Sequence, residues 1–263
     1  MMNTEHDADG AEGKKVLAII GSPNLATSNT ATLAGDFIES MRELDPSIRA
    51  EIVSLGKANV GHCRGCWACT EKGECPVPDG LPELKRKMLE CDLLILGSPV
   101  YVEGPTSLAK AFIDRIYVWL HTLRLISKPS ITAVTTAGSG ASKVERYLDM
   151  VLALLGTVKL GGLRGIGYRP GEMPMRDAYR KRSATLARKA IAVLNGARRA
   201  RPSMANRIAY LNMKMKARFG AKWLPYEHGY WKSKGWFSMN FGAAAKAESE
   251  ARMRAAPRNA PAA

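Results

Sequence analysis

KVLAIIGSPNLATSNT, residues 15–30, decides how the rest of the chain is read. After Lys15 it holds a continuous apolar run to Ile20, the pattern of a strand buried on both faces. Gly21 closes the run, and a loop of hydroxyl and amide residues opens directly into a segment with Leu33, Phe37, Ile38 and Met41 at helical spacing. A strand feeding a helix in this way is the first unit of a parallel α/β sheet.

The same alternation continues on the carboxyl side. The helix over 29–44 ends at Asp45-Pro46, and strands follow at 50–55, 93–96, 131–136 and, more weakly because of its glycines, 158–168. Between and after them the spacing predicts helices over 81–90, 106–120, 143–155 and 178–194, the second with Leu108, Phe112, Ile116 and Trp119 on one face. Five strands alternating with five helices specify a parallel sheet covered on both faces, with no internal repeat. The expected organisation is a polar, acidic, disordered N-terminus over 1–14, an α/β domain over 15–197 and a basic extension over 198–242, helical and then aromatic. Residues 243–263, Ala-rich with prolines near the end, are expected to be partly disordered.

A chain of 263 residues suffices for one such domain plus an appendage. No window approaches the roughly eighteen apolar residues of a membrane span, and the N-terminus lacks the basic-then-apolar order of a signal peptide. The expected location is the cytoplasm, where clustered thiols mean metal or redox work rather than disulfides. The net charge of +15 is uneven: from Arg198 onward there are 14 Lys and Arg against 3 Asp and Glu, whereas residues 1–197 hold 25 against 21. A basic balance of this kind suits an anionic partner, but without a binding motif the favoured reading is a solvated, helix-rich extension.

In a doubly wound sheet, ligands bind beyond the carboxyl ends of the strands. Three strand ends here carry suitable loops: Gly21 to Thr30, Gly97 to Thr106 (GSPVYVEGPT) and Thr135 to Gly140 (TTAGSG). The first offers hydroxyls, amides and free N–H groups at a helix N-terminus, as a phosphate monoester requires. It holds neither Gly-x-Gly-x-x-Gly nor the Gly-Lys-Ser/Thr of a P-loop, which disfavours a dinucleotide Rossmann site and an ATPase. In the second, two prolines and Gly104 stiffen the backbone, and Tyr101 offers an aromatic face. In the third, small residues let a ligand approach the main chain. Taken singly, each is also an ordinary βα turn.

Four of the five cysteines fall in one run, Cys63, Cys66, Cys69 and Cys75, whose spacing lets the thiols converge. That donor set suits an iron–sulfur centre, and the spacing also leaves structural zinc and free thiols open. His62 beside Cys63 is a weak candidate ligand, Trp67 is expected to be partly buried in the loop, and Cys91 is expected to pack. No Ser/His/Asp set or carboxylate pair stands out, so no catalytic acid or base is assigned.

The stretches GSPNLATSNT, SPVYVEGPTSLAKAFIDR and TTAGSG together resemble the flavodoxin-like NAD(P)H-dependent FMN reductases over residues 15–194. With the cysteine run the chain is most similar to their iron–sulfur flavoprotein branch, and Tyr230-Trp231-Lys232-Ser233-Lys234-Gly235 resembles the Tyr-Trp-Lys-x-x-Gly ending of some relatives. The resemblance implies a five-stranded sheet of order 2-1-3-4-5 that holds FMN non-covalently. It puts the phosphate on Ser22, Asn24, Ser28, Asn29 and Thr30, and the isoalloxazine along Pro99, Val100, Tyr101 and Gly104. Thr136, Ala137, Gly138, Ser139 and Gly140 would meet the ring's rim or the ribityl chain. It further implies a [4Fe–4S] cluster on Cys63, Cys66, Cys69 and Cys75, and a homodimer or homotetramer in which that cluster lies near a neighbouring subunit's FMN.

The implied reaction is ping-pong, with NADH or NADPH passing hydride to flavin N5 and a small-molecule or protein acceptor then taking the electrons. One departure stands out. The first loop lacks the basic residue that some relatives place there, so anion neutralisation would rest on amides and hydroxyls. Two other readings remain. One is a flavodoxin-type electron carrier without nicotinamide turnover. The other, remote, is a non-enzymatic nucleic-acid binder stacking bases on Trp223, Tyr226, Tyr230, Trp231 and Trp236.

Overall fold

Continuous apolar runs suit strands covered on both faces, and the computed structural model, which describes residues 13–255, places those at 16–20 and 93–96 in the middle of its sheet. β1 (Lys15–Ile20), β2 (Arg49–Ser54), β3 (Leu93–Tyr101), β5 (Pro129–Thr136) and β6 (Val158–Ile166) are parallel in the order β2-β1-β3-β5-β6, and the two-residue β4 (Gly104–Pro105) folds back on β3. Counting the five long strands alone, this is the expected 2-1-3-4-5. The order reverses between β1 and β3, whose register pairs Val16 with Leu93 and Ile20 with Gly97. The loops after these two strands therefore flank the crevice where ligands of such sheets sit.

Helices cover both faces. On one, α1 (Asn29–Arg42) and α7 (Arg176–Leu194) bury Leu33, Phe37, Met41, Ala187 and Ala190 against Val16, Ala18 and Ile95. On the other, α3 (Leu81–Glu90), α4 (Ser107–Arg115) and α6 (Ala141–Leu154) bury Leu84, Met88, Phe112 and Val151 against Leu17, Ile19 and Leu96.

Three expectations change. The helix expected over 106–120 is two helices, α4 and α5 (Tyr117–His121), because Ile116 leaves helical geometry at φ −95 and ψ 18. The β-branched and aromatic run Ile116-Tyr117-Val118-Trp119 has weak helical preference and yields there. β3 runs five residues past Leu96 and turns through Val102 and Glu103, both left-handed at φ 49 and 61, into β4. The Ala-rich stretch from Ala243 is helical as far as Ala255, in α10 (Phe241–Ala255), where alanine's high helix propensity is anchored by buried Phe241 and Ala244. The remainder of that stretch, and residues 1–12 of the expected disordered N-terminus, lie outside the described residues.

The extension packs onto the body. α8 (Met204–Phe219) starts at a capping box of Ser203 and Asn206, and α9 (Pro225–Ser233) follows. Tyr210, Met213, Trp231, Trp236 and Phe241 form a third cluster against Leu123, Ile126 and Val158. The Trp231 indole donates to the His121 carbonyl at 2.9 Å, and the Tyr210 hydroxyl donates to the Trp236 carbonyl at 3.0 Å. Trp231 and Trp236 are thus buried and unavailable for stacking bases.

Candidate functional site

The three loops meet at the reversal point. The Gly21 N–H donates to the Gly97 carbonyl at 2.8 Å, and the Thr106 hydroxyl, capping α4, donates to the Gly21 carbonyl at 2.6 Å. A Cβ at Gly21 would lie 2.8 Å from both Ala109 Cβ and Thr106 Oγ1, so only glycine lets the first and second loops approach this closely. From β2, the Ser54 hydroxyl donates to the Ser22 carbonyl at 2.6 Å and holds the first loop from the other side.

Within the first loop most side-chain polar groups are engaged internally. Asn24 Oδ1 accepts the Ala26 N–H at 3.0 Å, and Ser28 Oγ accepts the Ala31 N–H at 3.1 Å as the cap of α1. Thr30 is buried with its hydroxyl 2.5 Å from that of Thr135, so its side chain belongs to the core and only its backbone faces the loop's chemistry. The Ser22 hydroxyl makes only a long, 3.4 Å contact to the Asn24 carbonyl. An anion here would meet the N–H groups of the first helical turn, the helix dipole, and hydroxyl protons of Ser22 and Ser28. Asn29 Nδ2 donates to the Arg169 carbonyl at 2.9 Å, while its Oδ1 is buried without a donor. An unmatched buried acceptor of this kind is costly, and it marks the loop as incomplete without a ligand or water.

The second and third loops are joined by a residue absent from the sequence-derived set, Glu103. It accepts the Ser139 hydroxyl at 2.5 Å and faces the Lys143 ammonium at 3.3 Å, and these two partners hold its carboxyl below the usual carboxylate range. Thr136 donates to the Ser139 carbonyl at 2.5 Å and accepts the Gly138 N–H at 3.1 Å, which shapes the turn. Glu103, Gly138, Ser139, Gly140, Lys143 and Arg146 line an open cavity of about 380 Å³. Tyr101 is exposed, Pro99, Val100 and Gly104 are half-buried, and Ala137 is exposed beside them. Three further contributors escaped the sequence: Thr106, Glu103 and the segment after β6, whose Gly167 and Arg169 press on Asn29.

Gly140 offers a direct probe of this junction. Its φ is +82, and a Cβ would lie 2.8 Å from Val100 Cγ1 and 3.0 Å from Glu103 Oε1. Gly140→Val adds left-handed strain of about 1–2 kcal/mol and wedges the loops apart. A ligand spanning them is expected to bind about tenfold more weakly or worse, since 1.4 kcal/mol is roughly tenfold; isothermal titration with FMN checks this.

The cysteine run forms a second feature, beside the C-terminal end of α4. Cys63, Cys66, Cys69 and Cys75 all line one cavity of about 530 Å³, closed on its other side by Ile113, Tyr117, Tyr147, Val151 and Leu154. Cys63 and Cys66 stand exposed on either side of Gly65, at φ +63, while Cys69, in α2 (Ala68–Lys72), and Cys75 are half-buried. Among the described residues no three His, Cys, Asp or Glu side chains stand close enough to hold a metal ion. The donor type and the shared cavity suit a soft metal centre; the spacing of the sulfurs is wider than ligation needs. Burial, then the neighbouring Cys75 and, with smaller effects, Glu227 and Cys63, push the Cys69 thiol up.

Arg115 organises this loop. Its buried guanidinium donates to Asp79 at 2.6 and 3.2 Å, to the Gly61 carbonyl at 3.0 Å and to the Cys75 sulfur at 3.2 Å. The extension closes the loop from outside, with the Tyr226 ring seated on Gly73, where a Cβ would meet it at 2.1 Å. Trp67, expected to be partly buried, is instead 61% exposed, its ring meeting that of Tyr117 edge-on at 6.3 Å between centroids. His62 is exposed, and Cys91 is buried in the core at the C-terminal end of α3.

A parallel sheet with this order and these βα loops defines a flavodoxin-like protein. The chain belongs to the NADPH-dependent FMN reductase family, whose model matches residues 14–167. It is 30% identical to an iron-sulfur flavoprotein of Archaeoglobus fulgidus over 84% of this chain and 99% of that one. It is 28% identical to an iron-sulfur flavoprotein of Methanocaldococcus jannaschii over 68% of this chain and 97% of that one. Among solved structures a flavone reductase aligns with TM-score 0.53 at 14% identity, covering 72% of this chain and 66% of that one. RosB aligns with TM-score 0.53 at 18% identity, covering 68% of this chain and 77% of that one; both bear on the fold alone.

Proposed function

We propose that this protein is an FMN-dependent oxidoreductase that draws electrons from NADH or NADPH and delivers them to a quinone-like or protein acceptor, with an iron–sulfur centre on its cysteine loop. The observation that carries the reading is the joining of three βα loops at the β1/β3 reversal, through Gly21–Thr106 and Glu103–Ser139, in a chain of this family. When bound, FMN supplies hydride acceptance at one atom and release of electrons singly or in pairs. The residues of the chain supply position. The first turn of α1, with Ser22 and Ser28, faces the phosphate. Asn29 Oδ1 is an acceptor and therefore suits a ribityl hydroxyl, which has a proton to give, better than a phosphate dianion, which has none.

Pro99, Val100, Tyr101 and Gly104 form the wall for the ring, and the β3–β4 hairpin fixes that wall against Gly140. Thr136 to Gly140 close the rim with backbone N–H groups. Cys63, Cys66, Cys69 and Cys75 would hold a [4Fe–4S] centre, which passes electrons one at a time. Arg115, already donating to Cys75, would offset part of the thiolate charge.

The test is steady-state oxidation of NADH and of NADPH by FMN-loaded protein, with and without a quinone. Turnover requiring both FMN and quinone is expected. Protein that dithionite reduces but neither nicotinamide does is instead a flavodoxin-type carrier.

A further inference from the structure

The outward face of α8 is apolar where a soluble helix is ordinarily polar. Met204, Ile208, Leu211, Met215 and Phe219 recur every three or four residues and are each 46–72% exposed, with Trp223 exposed just beyond the helix end. The opposite face, Asn206, Tyr210, Met213 and Ala217, is buried against the body, so the stripe is held facing out. Exposed Arg207, Lys216, Arg218 and Lys222 flank it, and among the described residues none of them pairs with a carboxylate. Residues 178–226 contain 13 Lys and Arg and no Asp or Glu, so the segment that carries this face brings no acid of its own to it.

We propose that α8 docks the protein on a bilayer containing anionic phospholipid. Aliphatic, Phe and Trp side chains would enter the boundary between headgroups and acyl chains, while the flanking cations meet lipid phosphates; this is the composition of interfacial helices. A second copy of the chain fits poorly, because a twofold contact would set this acid-free cationic face against itself. A nucleic acid would match the cations but leave the apolar stripe facing phosphates, and Trp231 and Trp236 are buried away from any strand.

The experiment uses the full chain and vesicles of phosphatidylglycerol and phosphatidylcholine in equal parts, compared with phosphatidylcholine alone. Cosedimentation with the anionic vesicles only, weakened by salt, is expected, with a blue shift of tryptophan emission that Trp223→Phe removes. Each cation contributes about fivefold, so Arg207→Gln with Arg218→Gln should lower the partition coefficient roughly thirtyfold. Leu211→Ser with Phe219→Ser should abolish binding; these side chains are exposed, and an unchanged thermal melt verifies the fold. Three results would each overturn the proposal: no vesicle binding by the unaltered protein, vesicle binding that the serine pair leaves intact, or a serine pair that turns an oligomer into a monomer. Tighter binding to a single-stranded oligonucleotide than to the anionic vesicles, unaffected by the serine pair, would also overturn it in favour of a nucleic-acid surface.

Discussion

Arg115→Met is expected to destabilise the protein by on the order of 3–5 kcal/mol and to release the cysteine loop from the body. The Arg115 side chain is fully buried and Asp79 is 6% exposed, so removing the guanidinium leaves a carboxylate enclosed without its counter-ion. It also strips donors from the Gly61 and Val77 carbonyls and the Cys75 sulfur. Asp79→Asn added to Arg115→Met removes the stranded charge while keeping an acceptor for the Gly61 N–H, so the double variant should be more stable than Arg115→Met alone. Urea unfolding of the parent and the two variants measures this, and alkylation of Cys75 reports the loop directly. Equal stability of Arg115→Met and the parent would remove Arg115 from its organising role.

The same pair sets a pH dependence. Burial alone would raise the Asp79 carboxyl, but the Arg115 guanidinium and the Gly61 and Leu81 N–H groups outweigh it and hold it below its ordinary value. A carboxyl depressed in the folded state stabilises fully above the unfolded value, near pH 4, and loses that contribution as pH falls through the folded one. Cys75 alkylation should therefore accelerate in acid below about pH 4, relative to a free-thiol standard, and Asp79→Asn should flatten the profile.

With the proposed [4Fe–4S] centre on the cysteine loop, anaerobically purified protein is expected to show a broad brown absorbance that Cys66→Ala abolishes while leaving two resolved flavin bands. The four cysteines line one cavity that includes none of Gly21, Thr106 and Gly140, so losing one thiolate would break the proposed metal site and leave the three βα loops intact. Cys91→Ala is the control. Cys91 lies in the core, where burial pushes its thiol up, and its loss should change neither iron content nor flavin. Iron and acid-labile sulfide analyses accompany the spectra. A shoulder that survives Cys66→Ala, with unchanged iron, would remove this residue from the ligand set.

The alternation of strands and helices was legible because the central strands β1 and β3 carry buried apolar runs and the helices repeat with period 3.6, although β2 and β6, at the sheet edges, hold exposed Arg49, Glu51 and Arg164. The ligand-facing end was legible in outline from the chemistry of three loops. Its couplings were not. Arg115 and Asp79 are 36 residues apart, and each alone resembles an ordinary helix or turn residue. The β3–β4 hairpin uses Val102 and Glu103 in left-handed geometry, without the Asn-Gly or Asp-Gly pair that announces such turns. Nor did the sequence show that the loop's hydroxyls have structural partners as well, Ser28 Oγ accepting the Ala31 N–H as the cap of α1 and Thr30 pairing with Thr135 inside the core. Helix α10 was hidden because an Ala-rich segment becomes a stable element only once Phe241 and Ala244 are buried beneath it.

The most direct test of the account is titration of flavin-free protein with FMN, followed by quenching of flavin fluorescence, with riboflavin in parallel. The account predicts saturable micromolar or tighter binding of FMN, marked weakening for riboflavin, which lacks the anion that the first turn of α1 is built to meet, and loss of affinity in Gly140→Val. Protein that stays folded and takes up no FMN, or binds riboflavin equally well, would contradict it.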